Sequence, residues 1–234
     1  MSRRFRTGLF LVGGAGLSAL LGWGFAGLPA FGDYHGVYGR LLNRDSLGQT
    51  HAMSAIAAVT FDYRGFDTLG EEFILFTAVT GVVLLLREGE VADQAAELSR
   101  PMRVPGVRLF GVLMVGAALL VGAWLAAFGY VTPGGGFQGG VVVAGAILLV
   151  FLAAGYRPWV RLANEKALDP MEGLGVGTFV CVGLAALIAS EPFLHNLFGP
   201  GRSGTLVSGG SMPLLNWATA LEVAATVSRP KRVP

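Results

Sequence analysis

Residues 109–128 read LFGVLMVGAALLVGAWLAAF, and this stretch decides the fold class. None of its side chains is charged, and an α-helix needs about 20 mostly apolar residues to cross the hydrocarbon core of a bilayer. Backbone polar groups in lipid must be satisfied within the segment itself, so a helix is the expected form. The stretch therefore predicts a transmembrane helix.

The composition of the whole chain agrees with a membrane protein. Hydrophobic residues make up 53% of the 234 residues and charged residues only 14%, against about 25% charged residues in an ordinary soluble domain. Disordered chains lack so much apolar surface, and a soluble domain of this size needs more charge. A single Cys excludes a disulfide framework and a CxxC metal or redox site within the chain. The net charge of +2 does not indicate a nucleic-acid partner.

Six apolar runs of this kind follow one another along the chain. They lie at about 8–31, 69–86, 107–129, 138–155, 173–190 and 211–228. The second reaches spanning length when it is counted from Leu69. Residues 50–61 are moderately apolar and predict a short interfacial or re-entrant helix before the second span. The expected fold is an all-α, polytopic membrane protein with about six transmembrane helices.

The placement of Lys and Arg predicts an orientation. Thirteen of the 17 basic residues fall on one side if the N-terminus is cytoplasmic, as the positive-inside rule expects when both termini are inside. An alternative is that Ser2-Arg3-Arg4-Phe5 begins a twin-arginine-like signal peptide. The apolar run that follows is much longer than the about 7–15 residues of a signal h-region. A retained first helix, in a multi-pass protein of the cell (inner) membrane, is the favoured interpretation.

Residues 62–72, DYRGFDTLGEE, concentrate charge just before the second span. The ionisable candidates for an ion or proton path are Asp62, Arg64, Asp67, Glu71 and Glu72. Thr68 and Glu71 have the spacing of a capping box, which predicts that a helix begins near Leu69. Carboxylates beside a guanidinium can form a proton relay. A solvated corner whose charges orient the helix explains the same pattern equally well.

Glu222 is a stronger candidate because it falls within the last apolar run. Asn216, Thr219 and Glu222 recur every three residues and form a polar stripe on one helix face. A carboxylate inside a span usually faces a protein interior or a water-filled path. A polar contact with a neighbouring helix, or solvation near the membrane surface, is the competing interpretation. Glu172, at the start of the fifth run, is expected to support the helix dipole.

A glycine-rich segment separates the third and fourth runs. It consists of Pro133, Gly134, Gly135, Gly136, Phe137, Gln138, Gly139 and Gly140. A GxGxxG match here does not indicate a dinucleotide site, because that fingerprint requires a preceding strand. A close-packed helical hairpin is favoured over an ion site at the helix N-terminus. No metal site or cofactor is expected, since His35, His51 and His195 are scattered.

Two of these segments resemble known families. Residues 62–71, DYRGFDTLGE, resemble a segment near the end of the large A subunit of Mrp-type multisubunit cation/proton antiporters. Residues 133–140, PGGGFQGG, and Met212-Pro213-Leu214-Leu215-Asn216 resemble the B (MnhB-like) subunit of the same complexes. The resemblance implies a fusion of a two-helix A-type module (1–90) and a four-helix B-type module (105–234), joined by a charged cytoplasmic linker (91–104).

The resemblance also implies a function. We expect an integral membrane subunit of a multisubunit Na⁺/H⁺ antiporter, which contributes to assembly and to the ion and proton pathway and is not itself an enzyme. Its partners would be the other subunits, the lipid bilayer, Na⁺ and H⁺. The same modules occur in membrane-bound hydrogenase-type complexes, so a subunit of a redox-driven complex is the alternative. A stand-alone secondary transporter is less favoured, because the sequence shows no internal repeat.

Overall fold

The computed structural model describes residues 3–32, 36–85 and 104–229. These residues form two compact units, one up to Arg40 and one from Leu41 onward. The first unit contains α1 (Arg3–Ala26), a long apolar helix. Helix α2 (Val37–Thr50) runs across the division between the units. The expected cytoplasmic linker, 91–104, lies outside the described residues except for its last position.

The second unit is a bundle of helices. After α2 come α3 (Ala55–Ala58), a π-helical turn (Val59–Tyr63), α4 (Gly65–Leu85), α5 (Pro105–Phe128), α6 (Gly136–Ala154), α7 (Tyr156–Leu162), α8 (Glu165–Ile188) and α9 (Met212–Val227). A long loop over 189–211 joins α8 to α9. All of the described regular structure is helical apart from one isolated bridge, between Gly201 and Ser208.

Four of the described helices are long and apolar enough to cross a membrane: Thr7–Ala26, Pro105–Phe128, Gly136–Ala154 and Lys166–Ile188. The six apolar runs of the sequence all fall on helices, but the other two differ in kind. Helix α4 carries three carboxylates in its first eight residues, and α9 has only 16 residues. The all-α membrane fold is confirmed, while the count of six spans stays a prediction.

Two predicted helix starts are wrong. Helix α4 begins at Gly65 rather than near Leu69, because the Thr68 hydroxyl donates to the Thr60 carbonyl (2.6 Å) of the preceding turn instead of capping a new helix. Helix α8 begins at Glu165, where the Asn164 side chain accepts from the Lys166 amide at 3.0 Å. Glu172 therefore lies two turns inside α8 and does not support its first turn.

Large apolar side chains lie on the outside of the second unit and small ones between its helices, as expected for helices in lipid. Leu120, Trp124 and Leu148 are more than half exposed, whereas Ala126, Ala144 and Ala146 are buried between helices. Lipid tails solvate large apolar side chains well, so membrane helices associate through small residues that let their backbones approach. The interior of the second unit consequently contains many alanines and glycines, together with a small set of polar groups.

Helix α9 is the most buried element of the bundle. Eleven of its 16 residues are buried, and α4, α6 and α8 pack around it. Glycines make this possible: a Cβ on Gly140 of α6 would lie 2.8 Å from the Val223 Cβ, and one on Gly175 of α8 would lie 2.6 Å from the Ala218 carbonyl. The polar residues of α9 are therefore enclosed by three helices.

Candidate functional site

A buried carboxyl pair lies at the centre of the bundle. Glu72 lies about two turns into α4 and is 1% exposed, while Glu222 comes from α9 and is fully buried. The Glu72 and Glu222 carboxyl groups lie close enough to act on each other. The Thr219 hydroxyl donates to Glu72 Oε1 at 2.6 Å. The structure thus joins two residues that are 150 positions apart in sequence.

Three oxygens of this pair receive no hydrogen bond from any other residue in the described part of the chain. Glu72 Oε2 and both carboxyl oxygens of Glu222 are buried without a hydrogen-bond partner among the described residues. An ionised carboxylate only accepts hydrogen bonds, so two adjoining carboxylates in a buried site repel unless a proton lies between them. A pair of this kind titrates as a unit and is suited to take up and release a proton.

The polar stripe on α9 continues beyond Glu222. Thr226 of α9 and Arg229, which lies two residues beyond the end of the helix, follow at spacings of four and three, and both contact Glu172 of α8. The Thr226 hydroxyl donates to Glu172 Oε1 at 2.8 Å, and the Arg229 guanidinium pairs with Glu172 Oε2. Arg229 also lies 3.2 Å from Asp169 Oδ1. Glu172 in turn acts electrostatically on Glu222.

Sequence reasoning did not select Glu172, Thr226 or Arg229 for the site. Thr226 and Arg229 continue the three-or-four-residue spacing of Asn216, Thr219 and Glu222, and that signal is visible in the sequence. The apolar run begins only at Gly173, so the sequence placed Glu172 at the start of the helix rather than inside it. Its position inside α8 became evident only from the structure.

The charged segment before the second span divides into inward and outward residues. Glu72 is buried, whereas Glu71, Arg64 and Asp67 are exposed, and Arg64 pairs with Asp67. Asp62 is half-buried near His195. Burial raises the pKa of the Asp62 carboxyl, and the charge of His195 partly opposes this effect. The structure brings only Glu72 of this segment to Glu222.

A cavity of about 120 Å³ lies beside the carboxyl pair, between α4, α9 and the glycine-rich turn. Its polar lining includes Thr60, Thr68, Glu71, Gln138 and Thr219. Thr219 both lines this cavity and donates to Glu72. A hydroxyl that touches the cavity on one side and the buried carboxyl on the other is a suitable relay for a proton.

The glycine-rich segment forms a tight hairpin between α5 and α6. A Cβ on Gly139 would lie 2.6 Å from the Gly122 carbonyl, so the two helices cross almost in backbone contact. Gly135 adopts a φ of 154°, which favours glycine. Asn216 Oδ1 accepts from the Gly136 amide at 2.6 Å, so a side chain of α9 occupies the first amide of α6. This contact ties Pro133–Gly140 to the candidate site as a structural support.

A second, apolar groove of about 450 Å³ runs along the outside of α8. Gly173, Gly177, Cys181 and Ala185 line it at intervals of four residues. Among the described residues, no group of three or more His, Cys, Asp or Glu is arranged to hold a metal ion.

Comparison with known proteins identifies relatives of this arrangement. Residues 106–229 match the family model described as a domain related to the MnhB subunit of Na⁺/H⁺ antiporters. An uncharacterized protein of Methanocaldococcus jannaschii is 28% identical over 195 residues, which cover 74% of this chain and 73% of that protein. A Rhizobium meliloti protein described as a probable A/B subunit of a K⁺/H⁺ antiporter is 28% identical over 214 residues, 77% of this chain. The chain spans only 21% of that protein.

Two solved structures share the fold. One is the membrane-bound sulfane sulfur reductase, an archaeal respiratory membrane complex, with a TM-score of 0.69 and 28% identity over 96% of this chain and 95% of the matched chain. The other is the Mrp complex from a Dietzia species, with a TM-score of 0.67 and 21% identity over 97% of this chain and 25% of the matched chain. The apolar helices and these relatives together establish a multi-pass membrane protein.

Proposed function

Because the chain belongs to the family of domains related to the MnhB subunit of Na⁺/H⁺ antiporters, we propose that it is an integral membrane subunit of a multisubunit monovalent cation/proton antiporter. It contributes to assembly and provides part of the proton path. It acts on Na⁺ and H⁺ only together with its partner subunits in the bilayer, and it is not an enzyme in its own right.

One observation supports the proton path above all others: the buried Glu72–Glu222 pair, three of whose oxygens receive no hydrogen bond from any other described residue. Burying unpaired polar groups is unfavourable by several kcal/mol, about 2–7 for a neutral group and more for a charge. Carboxylates inside membrane proteins commonly mark ion or proton routes. We place Glu72 and Glu222 on the path and Glu71 at the cavity that leads to it.

The candidates outside the buried pair have a different place in this proposal. Asp62, Arg64 and Asp67 lie near the start of α4, and Arg64 and Asp67 are paired with each other. We assign them to the outer end of the path, where the carboxylates of Asp62 and Asp67 attract a cation or proton toward the cavity and Arg64 offsets part of their charge. Their contribution is therefore one of local concentration rather than of transfer inside the bundle.

We further propose the fusion of two modules, over 1–90 and 105–234, joined by a cytoplasmic linker, with both termini cytoplasmic. The family match over residues 106–229 supports the second module. The Rhizobium relative is described as an A/B subunit, which supports the fusion. Single cysteines at Asp93 and Lys231, in a Cys181→Ser background, should be labelled only from the cytoplasmic side. Labelling of either site from outside would refute the orientation.

The experiment that tests the proton path uses the assembled complex in vesicles. Glu222→Gln and Glu72→Gln keep the side-chain shape but cannot exchange a proton, so each should leave assembly intact and strongly lower cation-driven proton exchange. Glu222→Asp should retain part of the exchange. Glu191→Gln, at an exposed glutamate of the 189–211 loop, is the matched control and should behave as wild type. If the assembled Glu222→Gln complex exchanges protons at the wild-type rate, the proposed proton path is wrong.

The equivalent subunit of a redox-driven complex is the second candidate function. The match to the archaeal respiratory complex favours it, because this chain covers 95% of a single chain there but only 25% of the matched Mrp chain. The two candidates share the proton path and differ in their partners. Purification of the native complex and identification of its subunits by mass spectrometry decides between them: redox subunits in stoichiometric amounts would favour the second candidate.

A further inference from the structure

Glu172 is the next carboxyl group after Glu222 along the buried polar groups, and the side chains beyond it become progressively more exposed. The exposed fraction of the side chain is 7% for Glu172, 27% for Arg229 and 53% for Asp169. Glu222 itself is fully buried. These residues therefore connect the carboxyl pair with the surface at the C-terminal end of α9. The cavity beside Thr219 lies on the other side of the pair, toward the N-terminal end of α9.

Both carboxylate oxygens of Glu172 accept a hydrogen bond, whereas in the carboxyl pair only Glu72 Oε1 accepts one from another described residue. Thr226 donates to Oε1 at 2.8 Å and the Arg229 guanidinium pairs with Oε2. Each oxygen keeps a further lone pair, but a proton on Glu172 would cost the carboxylate its charge-assisted bond with the Arg229 guanidinium. Transfer of a proton from Glu222 to Glu172 is therefore unfavourable while the guanidinium stays in place.

The way in which Arg229 contacts its two carboxylates would allow its guanidinium to move from one to the other. Both of its ion pairs, with Glu172 and with Asp169, are made through the same terminal nitrogen, Nη2. Its Nε is buried and has no partner among the described residues. A bidentate arginine is fixed by two parallel bonds, whereas one nitrogen shared by two carboxylates can shift from the buried Glu172 to the exposed Asp169 by a side-chain rotation.

We propose that Arg229 and Glu172 form a gate at this end of the proton path, with Arg229 as the positioning residue that keeps Glu172 unavailable between transport events. When Arg229 moves toward Asp169, Glu172 Oε2 becomes free to accept the proton that Glu222 gives up, and Glu172 then releases it toward the surface. The gate prevents protons from leaking through the bundle without cation exchange. This inference rests on the proposed proton path through Glu72 and Glu222.

The test measures passive proton leak in vesicles that contain the assembled complex and an imposed pH gradient but no transportable cation. Arg229→Gln removes the cation from Glu172 and should raise the leak several-fold above wild type. Arg229→Lys keeps a cationic donor and should remain nearly tight. In the double variant Arg229→Gln/Glu172→Gln the leak should return to the wild-type level, because glutamine cannot carry the proton onward.

A second variant keeps the test decisive if Arg229→Gln impairs assembly. Thr226→Val preserves the shape of the side chain and frees Glu172 Oε1, so it should also raise the leak. The gate proposal is wrong if the proton leak stays at the wild-type level in Thr226→Val and in every Arg229→Gln complex that assembles. Glu222→Gln is measured in parallel: if it lowers exchange while these variants stay tight, only the gate fails, and if it has wild-type exchange, the proton path itself fails.

Discussion

At the residue scale, burial separates side chains that the sequence presents as equivalents. Glu71 and Glu72 are adjacent and identical, yet one lines an open cavity and the other is enclosed between α4 and α9. Successive positions on a helix point about 100° apart, so only one of two neighbours can face a given partner helix. The same reasoning explains why Asp67 pairs with exposed Arg64 while Thr68 is buried.

Asp62 provides a prediction about stability and pH. Burial raises its pKa above the unfolded value of about 3.9, so ionised Asp62 destabilises the folded chain above its folded pKa. The effect disappears as the pH falls below the unfolded pKa. Asp62→Asn should therefore raise the melting temperature of the detergent-solubilised protein at neutral pH, and the gain should vanish at about pH 3.5.

The matched control is Asp67→Asn, at an exposed aspartate of the same segment. Removing the Arg64–Asp67 ion pair should change stability by no more than about 1 kcal/mol, because exposed ion pairs contribute little. An Asp62→Asn protein that is less stable than wild type at neutral pH would contradict the reasoning.

At the scale of elements, glycines determine how closely the helices of the bundle approach. Gly122 and Gly139 meet where α5 crosses α6, and Gly140 and Gly175 bring α6 and α8 against α9. Small residues are used in this way because lipid provides no hydrophobic drive between helices, so close packing must supply the attraction. The result is a narrow interior in which α9, with Glu222, is in contact with α4, α6 and α8.

Gly175→Ala should therefore disturb both packing and transport. Its Cβ would lie 2.7 Å from the Glu222 Cβ and 2.6 Å from the Ala218 carbonyl oxygen, so α8 must move away from α9. We expect a loss of about 1–3 kcal/mol in stability, as is typical of overpacking, and lower cation-driven proton exchange. Thermal unfolding in detergent and flux in vesicles measure the two effects.

Gly177→Ala is the control on the same helix, since nothing lies within 4 Å of the added Cβ. Alanine is favoured over glycine inside a helix by about 1 kcal/mol, so this variant should be at least as stable as wild type. Equal behaviour of the two alanine variants would show that the approach of α8 to α9 is not set by Gly175.

At the scale of the whole molecule, the second unit contains described residues from both sides of the 86–103 gap, 41–85 and 104–229, and these pack against each other. The Ser54 amide, before the gap, donates to the Tyr130 carbonyl, after it, at 3.1 Å. Helix α4 supplies Glu72 to a partner on α9. The site is therefore complete only when both halves of the second unit are present.

The chain alone should transport nothing. The two solved structures compared above are membrane complexes, and we place the cation path of this protein partly in partner subunits. Reconstituted without partners, the purified chain should show no cation-dependent proton flux, whereas the native complex should show it in the same vesicles. Robust flux from the chain alone would favour a stand-alone transporter.

The sequence by itself determined the class of fold and the order of its long apolar helices. Each apolar run coincides with a helix because in lipid the backbone must satisfy its own hydrogen bonds. This requirement is local, so a run of about 20 apolar residues is enough to predict the helix. The stripe of Asn216, Thr219 and Glu222 was also visible, since helical periodicity converts spacing into a shared face.

Only the tertiary structure decided which carboxyl group meets Glu222. Glu71 and Glu72 differ by one position, and the rotation of α4 against α9 depends on close contacts of small residues that no local pattern encodes. The pairing of Arg229 with Glu172 likewise joins residues 57 positions apart, one just beyond the end of α9 and the other on α8. Helices form from neighbours in sequence, whereas a site between helices forms from packing, and packing is a property of the whole bundle.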